Sequence, residues 1–159
     1  MSIHQQFVKY PTGKIEKGQW CDCCARFNTR NITCSGISVI NHQILMILRR
    51  QNPQKGWWAL PGGYLDWDET IEACIVREFT EETGYQAKPN RLLGIYSRPD
   101  RDPDGRQNVD CCFELKLSRQ THQPDHEVAQ LKFFPLNQLP EKIAFDHRQM
   151  ITDYLKANY

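Results

Sequence analysis

Several glutamates and a single arginine lie between Gly63 and Gly84. Glu81 and Glu82 follow Glu78 by three and four residues, so all three side chains would project from one face of a helix. Like charges at this spacing repel each other and weaken an isolated helix. A cation among the carboxylates would make the arrangement favourable, and hard oxygen ligands suit Mg²⁺ or Mn²⁺ bound together with substrate phosphates. The spacing predicts a divalent-metal platform, with a solvated acidic helix face as the alternative.

The same stretch resembles the Nudix box, the signature of the Nudix hydrolase family. In that signature a glycine and a glutamate precede an Arg-Glu pair, which two further glutamates and a second glycine follow at fixed spacing. The matching positions are Gly63, Glu69, Arg77, Glu78, Phe79, Glu81, Glu82, Gly84 and Tyr85. Phe79 and Tyr85 stand where the family more often has an aliphatic residue, a difference that concerns packing more than chemistry.

The resemblance implies hydrolysis of a nucleoside diphosphate linked to another group, with Mg²⁺ or Mn²⁺ as cofactor. It also implies that the metal ligands are Glu78, Glu81 and Glu82. Arg77 neighbours Glu78 in the sequence and is poorly placed to reach the same face. We therefore expect Arg77 to bond to Glu69 or to a nearby carbonyl and to hold Glu78 in orientation.

The attacking water needs a general base, and the sequence offers two kinds of candidate. Glu82 is one, and a carboxylate of the loop at residues 123–127 is the other. Within that loop, Glu127 most resembles the loop glutamate that several related enzymes use, although an ordinary solvated charge is the alternative. The predicted catalytic residues are therefore Glu82, Glu127 and Arg77.

Two further segments, residues 96–106 and 144–147, resemble segments of ADP-ribose pyrophosphatases in this family. Guanidinium groups match phosphate oxygens in a forked geometry, which predicts substrate binding by Arg98, Arg101 and Arg106. A flexible, charge-balanced surface loop is the alternative, because aspartates alternate with these arginines. Trp58 or Trp57 is a candidate for stacking on an adenine, and at least one of the two is expected in the core. The predicted substrate is ADP-ribose or a related nucleotide sugar or dinucleotide.

The elements that must position these residues follow from apolar periodicity. Residues 34–40 and 43–49 predict two strands joined by a hairpin at Asn41-His42. The box predicts a helix from near Glu69 to Gly84, and further strands are predicted at 91–97, 108–117 and 131–134. A last helix is expected to open at Asp146 with Gln149 in a variant of the capping box. Its predicted inward stripe is His147, Ile151, Tyr154 and Leu155. The resemblance implies the Nudix α/β/α sandwich with a mixed sheet.

A small ribbon-like segment is predicted to precede that domain, with boundaries of 1–32 for the segment and 33–159 for the Nudix hydrolase domain. Cys21 and Cys24 form a CxxC that resembles the second knuckle of a zinc ribbon. The first knuckle, expected around residues 9–14, has no cysteines, and a zinc ribbon needs four ligands. His4, Cys23 and Cys34 are the remaining candidates to complete a site. We expect a degenerate remnant, with zinc absent or substoichiometric.

Composition limits the remaining functions. The 159 residues carry a formal net charge of +1, which gives no reason to expect a nucleic-acid or membrane partner. Without a recognisable signal peptide, a reducing, cytoplasmic location is expected, and the partner is a small-molecule nucleotide. Four of the cysteines, Cys34, Cys74, Cys111 and Cys112, are predicted to serve packing, with the adjacent pair facing opposite sides of a strand.

Two other functions compete with hydrolysis. A non-catalytic Nudix domain that senses a nucleotide is the first, and the intact box counts against it. A nucleic-acid-binding ribbon protein is the second, and the missing knuckle and balanced charge disfavour it. Nudix enzymes are often dimers, so the resemblance also implies a homodimer.

Overall fold

The structure is a computed structural model that describes residues 18–21 and 26–158. The chain divides into two compact units, Met1–Arg30 and Asn31–Tyr159. In the first unit, strand β1 (Trp20–Cys21) pairs antiparallel with β2 (Arg26–Phe27). The assignment of residues 1–32 as a degenerate zinc-ribbon-like segment stays a prediction.

The proposed zinc ligands are mostly not described. His4, Cys23 and Cys24 lie outside the described residues, and for Cys21 the structure describes the main chain only. The absence or substoichiometric content of zinc stays a prediction, and elemental analysis of the purified protein tests it.

The second unit contains strands and two helices in the described part of the chain. They are β3 (Ile32–Ile37), β4 (Val39–Ile40), β5 (Gln43–Arg49), β6 (Trp58–Ala59), β7 (Gly62–Tyr64), α1 (Ile71–Thr83), β8 (Tyr85–Tyr96), β9 (Val109–Gln120), β10 (Val128–Pro135) and α2 (His147–Asn158). Neither helix is long and apolar enough to cross a bilayer, among the residues described.

The strands form two sheets. One has the order β7-β3-β9-β8, in which β3 and β9 are parallel and the other pairs antiparallel, so the predicted mixed sheet is confirmed. In the other sheet, β5 pairs antiparallel with β10, β4 and β6. The strand predicted at 34–40 is in fact two strands that belong to different sheets, because the pairing breaks at Ser38.

The predicted hairpin turn is confirmed. Asn41 and His42 have φ angles of 50° and 59°, the left-handed conformation that a two-residue turn between twisted antiparallel strands requires. The turn joins β4 to β5 and fixes their register.

The two helices cover opposite faces of the strands. Leu45 of β5 packs with Cys74, Ile75 and Phe79 of α1. Its neighbours in the strand, Ile44 and Met46, pack instead in the cluster that holds α2, because successive side chains of a strand point to opposite faces. This arrangement is the predicted α/β/α sandwich.

The ends of α1 follow the sequence closely. The helix begins after Thr70, whose side chain accepts a hydrogen bond from the Ala73 N–H at 3.2 Å. Glu69 therefore lies just before the helix, not on it. The helix ends at Gly84, which has a φ of 74° and donates its N–H to the Thr80 carbonyl at 2.7 Å.

The predicted capping box at α2 is wrong. The Asp146 carboxylate accepts from the Arg101 guanidinium at 2.8 and 3.1 Å and does not cap the helix with Gln149. The Gln149 amide donates to Asp153 at 2.8 Å. A charged partner 45 residues away in the chain outweighs the local cap, because charge-assisted bidentate hydrogen bonds are stronger than neutral ones.

The long strands exceed their predicted limits. The sequence predicts that strand β8 starts at residue 91, but the strand begins directly after α1. It includes residues 86–90, which are mostly polar, contain a proline and lack the pattern of apolar residues typical of a strand. Register shifts along the β8–β9 pair accommodate these residues. Cys111 and Cys112 pack in different clusters on the two sides of β9, as predicted. Strands β6 and β7 have two and three residues, which is too few for an alternating pattern to predict them from the sequence.

Candidate active site

Two glutamates of α1 lie against the main chain of β7. The Gly62 N–H donates to Glu82 Oε2 at 2.8 Å. A Cβ atom at position 63 would overlap the carboxylate of Glu78. The absence of a side chain at Gly63 therefore allows the Glu78 carboxylate to approach the strand, which gives a physical reason for the glycine that opens the box.

Arg77 of α1 connects the helix to the loop that precedes it, in which Glu69 lies. Its guanidinium donates to both Glu69 oxygens at 2.5 and 3.1 Å and to the Tyr64 carbonyl at 3.0 Å. It also donates to Glu78 Oε1 at 2.6 Å. Hydrogen bonds from Arg77 lower the pKa of Glu69 to about 2. The bonds to Glu69 and to the Tyr64 carbonyl are the predicted ones, but the prediction that Arg77 is poorly placed to reach the acidic face is wrong, because its guanidinium contacts Glu78 and Glu81. The orienting role of Arg77 stays a prediction.

The charges of Glu78 and Glu82 are unfavourable in this environment. Burial raises the pKa of Glu78, although Arg77 opposes the shift. Burial also raises the pKa of Glu82 well above its usual value, with further contributions from the charges of Glu78 and Asp125. Buried acids with raised pKa values that repel each other are characteristic of functional sites.

These carboxylates face a cavity of about 470 Å³, a size common for small-molecule sites. Several predicted site residues line it, namely Glu78, Glu81, Glu82, Glu127, Arg101 and Arg106. Asp125 of the predicted loop lines it as well, and so do Arg49, Tyr64, Asp110, Phe145 and His147, which were not predicted as site residues.

Two arginines bring positive charge to this cavity. Arg106 donates to the Tyr64 hydroxyl at 2.6 Å and forms an ion pair with Asp104 at 2.8 Å. Arg49 donates through Nε to the Pro53 carbonyl at 2.9 Å and lies over the Phe145 ring at 5.0 Å. Burial lowers the pKa of Arg49, and the charge of Arg106 adds to that shift. Two neighbouring cations on a cavity wall can bind an anion.

Arg101 also lines the cavity but is already engaged. Its side chain is 3% exposed and binds Asp146 at 2.8 Å and Asp102 at 3.1 Å, with Asp110 at 3.8 Å. The guanidinium thus holds together the loop, β9 and the start of α2. We expect Arg101 to support the cavity wall, and its predicted role as a phosphate clamp stays a prediction.

Two predicted substrate residues are not among the residues lining the cavity. Arg98 pairs with Asp100 at 2.6 Å on the surface, where both side chains are mainly exposed. Trp58 packs edge-on against Phe134 with ring centroids 4.6 Å apart, which confirms that one tryptophan belongs to the core. Substrate contact by Arg98 or Trp58 would need a different conformation.

Comparison with known proteins identifies the family. The NUDIX domain family matches residues 29–154 of the chain. The chain is a Nudix hydrolase. An ADP-ribose pyrophosphatase from Methanocaldococcus jannaschii is 42% identical to it over 125 residues, which span 79% of this chain and 73% of that protein. An ADPR-responsive transcriptional repressor from Acinetobacter baylyi is 32% identical over 112 residues, or 69% of this chain and 45% of the repressor.

The Nudix fold is also found among solved structures. A MutT Nudix hydrolase from Burkholderia pseudomallei superposes with a TM-score of 0.70 and 27% sequence identity, covering 77% of this chain and 96% of that one. The α/β/α arrangement is therefore that of the family.

The Nudix family implies a divalent cation, and the donor chemistry of the box helix fits one. Among the described residues, no group of three or more His, Cys, Asp or Glu side chains is gathered closely enough to hold a metal ion. The fit rests on the carboxylates themselves. Glu78 and Glu82 offer hard oxygen ligands, and burial penalises their uncompensated charge.

Some Nudix site residues had weak signals in the sequence. Arg49 directly follows a buried apolar run, where a cation at the end of a strand is easily read as an ordinary surface charge. Asp110 is an acid within an apolar strand, and a charged residue in such a run indicates a functional position more strongly than a cation at a strand end does. The prediction that His147 belongs to the inward stripe of α2 is correct for its burial but leaves out its place in the cavity.

Proposed function

We propose that this Nudix hydrolase cleaves the diphosphate linkage of ADP-ribose or of a related nucleotide sugar or dinucleotide, with Mg²⁺ or Mn²⁺ as cofactor. The relative named ADP-ribose pyrophosphatase supports this substrate class. The observation that carries the proposal is one cavity in which the acidic face of α1 meets two arginines, Arg49 and Arg106.

The acidic residues have separate roles in this proposal. Glu78, Glu81 and Glu82 would hold the cation, which supplies positive charge to polarise the phosphorus and to acidify water. Arg77 and Glu69 keep Glu78 in place. The proton of the attacking water goes either to Glu82, whose buried carboxylate has a raised pKa, or to Glu127 on the same cavity wall.

The arginines act on the part of the substrate beyond the scissile bond. A diphosphate would be repelled by the box carboxylates alone, so cationic donors elsewhere in the cavity favour binding. Arg49 and Arg106 are suited to this, because guanidinium groups bind phosphate oxygens through forked hydrogen bonds. They explain how an acidic site accepts an anionic substrate.

Substitution of Arg106 tests this role. Arg106→Ala should raise KM for ADP-ribose about tenfold with little change in kcat, because a contact present in both ground and transition states is lost. Arg98→Ala is the matched control, since Arg98 lies in the same loop but outside the cavity. An unchanged KM for Arg106→Ala, or a nucleoside triphosphate cleaved with the higher kcat/KM, would refute the assignment of substrate.

A second candidate is an ADP-ribose-binding domain without catalysis, which the similarity to the Acinetobacter repressor favours. The two candidates differ in turnover. Isothermal titration calorimetry and product chromatography on the same sample separate them, because a sensor binds ADP-ribose without cleaving it. Light scattering of the same sample tests the expected homodimer.

A further inference from the structure

The imidazole of His147 is held in one tautomer by the main chain. The Leu60 N–H donates to His147 Nδ1 at 2.9 Å. A backbone N–H can only donate, so Nδ1 must be unprotonated, and a neutral imidazole then carries its proton on Nε2. Burial lowers the pKa of His147 to about 3, with Arg101 and Arg49 adding to the shift, so the ring is neutral at ordinary pH.

The Nε2 proton has no acceptor among the described residues, yet Nε2 is not sealed from solvent. His147 is 5% exposed and lines the cavity. The carboxylate of the adjacent residue Asp146 accepts from Arg101 and forms no hydrogen bond with the imidazole. The Nε2–H is therefore a free hydrogen-bond donor that faces the cavity, where an acceptor atom of a ligand can bind it.

The surroundings of this donor indicate the chemistry of that ligand. The Phe145 ring lies 5.3 Å from the imidazole, and the Arg49 guanidinium lies 5.0 Å from the same Phe145 ring. A neutral N–H and a guanidinium around one part of the cavity both offer hydrogen-bond donors. They would bind an oxygen acceptor, on a phosphate or a sugar, better than a donor group.

His147 also connects this part of the cavity to the acidic wall. It binds the main chain at Leu60, and two residues later the Gly62 N–H binds Glu82. His147 and Glu82 thus hold the same short segment of main chain, and a group bound at Nε2 would lie in the cavity that Glu82 also lines.

We propose that His147 is a substrate-binding residue whose Nε2–H donates to an oxygen of the substrate next to Arg49. This inference rests on the proposed function, because it takes ADP-ribose as the substrate. The role of the side chain is then double, since Nδ1 holds the Leu60 main chain while Nε2 selects the ligand.

Two substitutions separate these roles. In His147→Asn, the amide oxygen can take the place of Nδ1 and accept from Leu60, but nothing reaches the position of Nε2. In His147→Gln, the amide nitrogen can reach the position of Nε2, while the acceptor for Leu60 is lost. The inference predicts a stable Asn variant with KM for ADP-ribose raised about tenfold and kcat within about twofold of wild type. It predicts a less stable Gln variant with KM closer to wild type.

Inhibition by the two products identifies the acceptor. If the oxygen belongs to the nucleotide half, the inhibition constant of AMP rises in His147→Asn, and if it belongs to the sugar half, that of ribose 5-phosphate rises. Either result supports the inference. An Asn variant with wild-type KM and wild-type inhibition constants would overturn it. Should His147→Asn fail to fold, a wild-type KM in His147→Ala, measured below its melting temperature, would overturn it as well.

The proposed function fails separately. If the wild-type protein binds ADP-ribose but does not cleave it, the hydrolase assignment is wrong, and the dissociation constants of the same variants then replace KM in the comparison. If wild type cleaves ADP-ribose and the Asn variant is unaffected, only the inference about His147 is wrong.

Discussion

Removal of Arg101 should destabilise the whole Nudix domain. The guanidinium is 3% exposed and holds Asp102, Asp110 and Asp146, which belong to three different elements of the chain. Loss of one partner from a buried ion pair typically costs 3–5 kcal/mol, because the remaining charge is left buried and uncompensated. For a domain of this size, each kcal/mol corresponds to roughly 3–5 °C in melting temperature. Arg101→Ala should therefore melt roughly 10–25 °C below wild type.

Thermal unfolding followed by circular dichroism measures this difference, and Arg98→Ala is the matched control from the same loop. Arg98 forms its ion pair with Asp100 at the surface, where its side chain is 76% exposed. Such a pair contributes about 0–1 kcal/mol, so the control should melt within a few degrees of wild type. Arg101→Lys should fall between the two, because it keeps the charge but loses the forked geometry.

Equal melting temperatures for Arg101→Ala and Arg98→Ala would refute this reasoning. If Arg101→Ala also raised KM while its stability stayed at the wild-type value, Arg101 would be a substrate residue, as the sequence first predicts. The two interpretations of this arginine thus give opposite results in the same pair of measurements.

Two further predictions concern residues around the cavity. Gly63→Ala should lower kcat by at least about tenfold with the fold retained, because the added Cβ would displace the Glu78 carboxylate. Gly94→Ala is the control, since the nearest atom to a Cβ added there is 3.4 Å away. Equal kcat values for the two variants would contradict the close approach of Glu78 to Gly63. Wild type should lose stability relative to His147→Asn as the pH falls below about 6.5, the pKa of a histidine in the unfolded chain. Burial lowers the pKa of His147 in the folded protein to about 3. Between about pH 6.5 and about pH 3 the imidazole therefore binds a proton only in the unfolded chain, which favours unfolding. Denaturant unfolding at pH 8 and pH 5 measures the effect, and a difference that does not change with pH would contradict it.

The positions of the box residues can be predicted from the sequence because these residues lie close to one another in the chain. Glu78, Glu81 and Glu82 share a helix, and the contact of Arg77 with Glu69 follows from one loop and one turn of that helix. The positions of the caps at Thr70 and Gly84 are local as well. Periodicity within one segment is enough to predict such features.

The remaining features depend on contacts between distant segments. The sequence gives Asp146 the position of a helix cap, and only the fold shows that Arg101 takes its carboxylate. Likewise, nothing near His147 in the sequence indicates that Leu60 would bind its Nδ1. Arg49 enters the cavity because β5 ends beside it. Long-range pairing of this kind cannot be inferred from one sequence by spacing alone.

If the acidic face of α1 catalyses cleavage of ADP-ribose, turnover must depend on both the divalent cation and the Glu82 carboxylate. Wild type and Glu82→Gln are incubated with ADP-ribose in the presence of Mg²⁺ or of EDTA, and the products are separated by chromatography. We expect AMP and ribose 5-phosphate from wild type with Mg²⁺ and neither product with EDTA. In Glu82→Gln, kcat should be lower by about 10²-fold or more with the fold intact. Turnover by Glu82→Gln close to wild type at saturating Mg²⁺ would contradict this expectation.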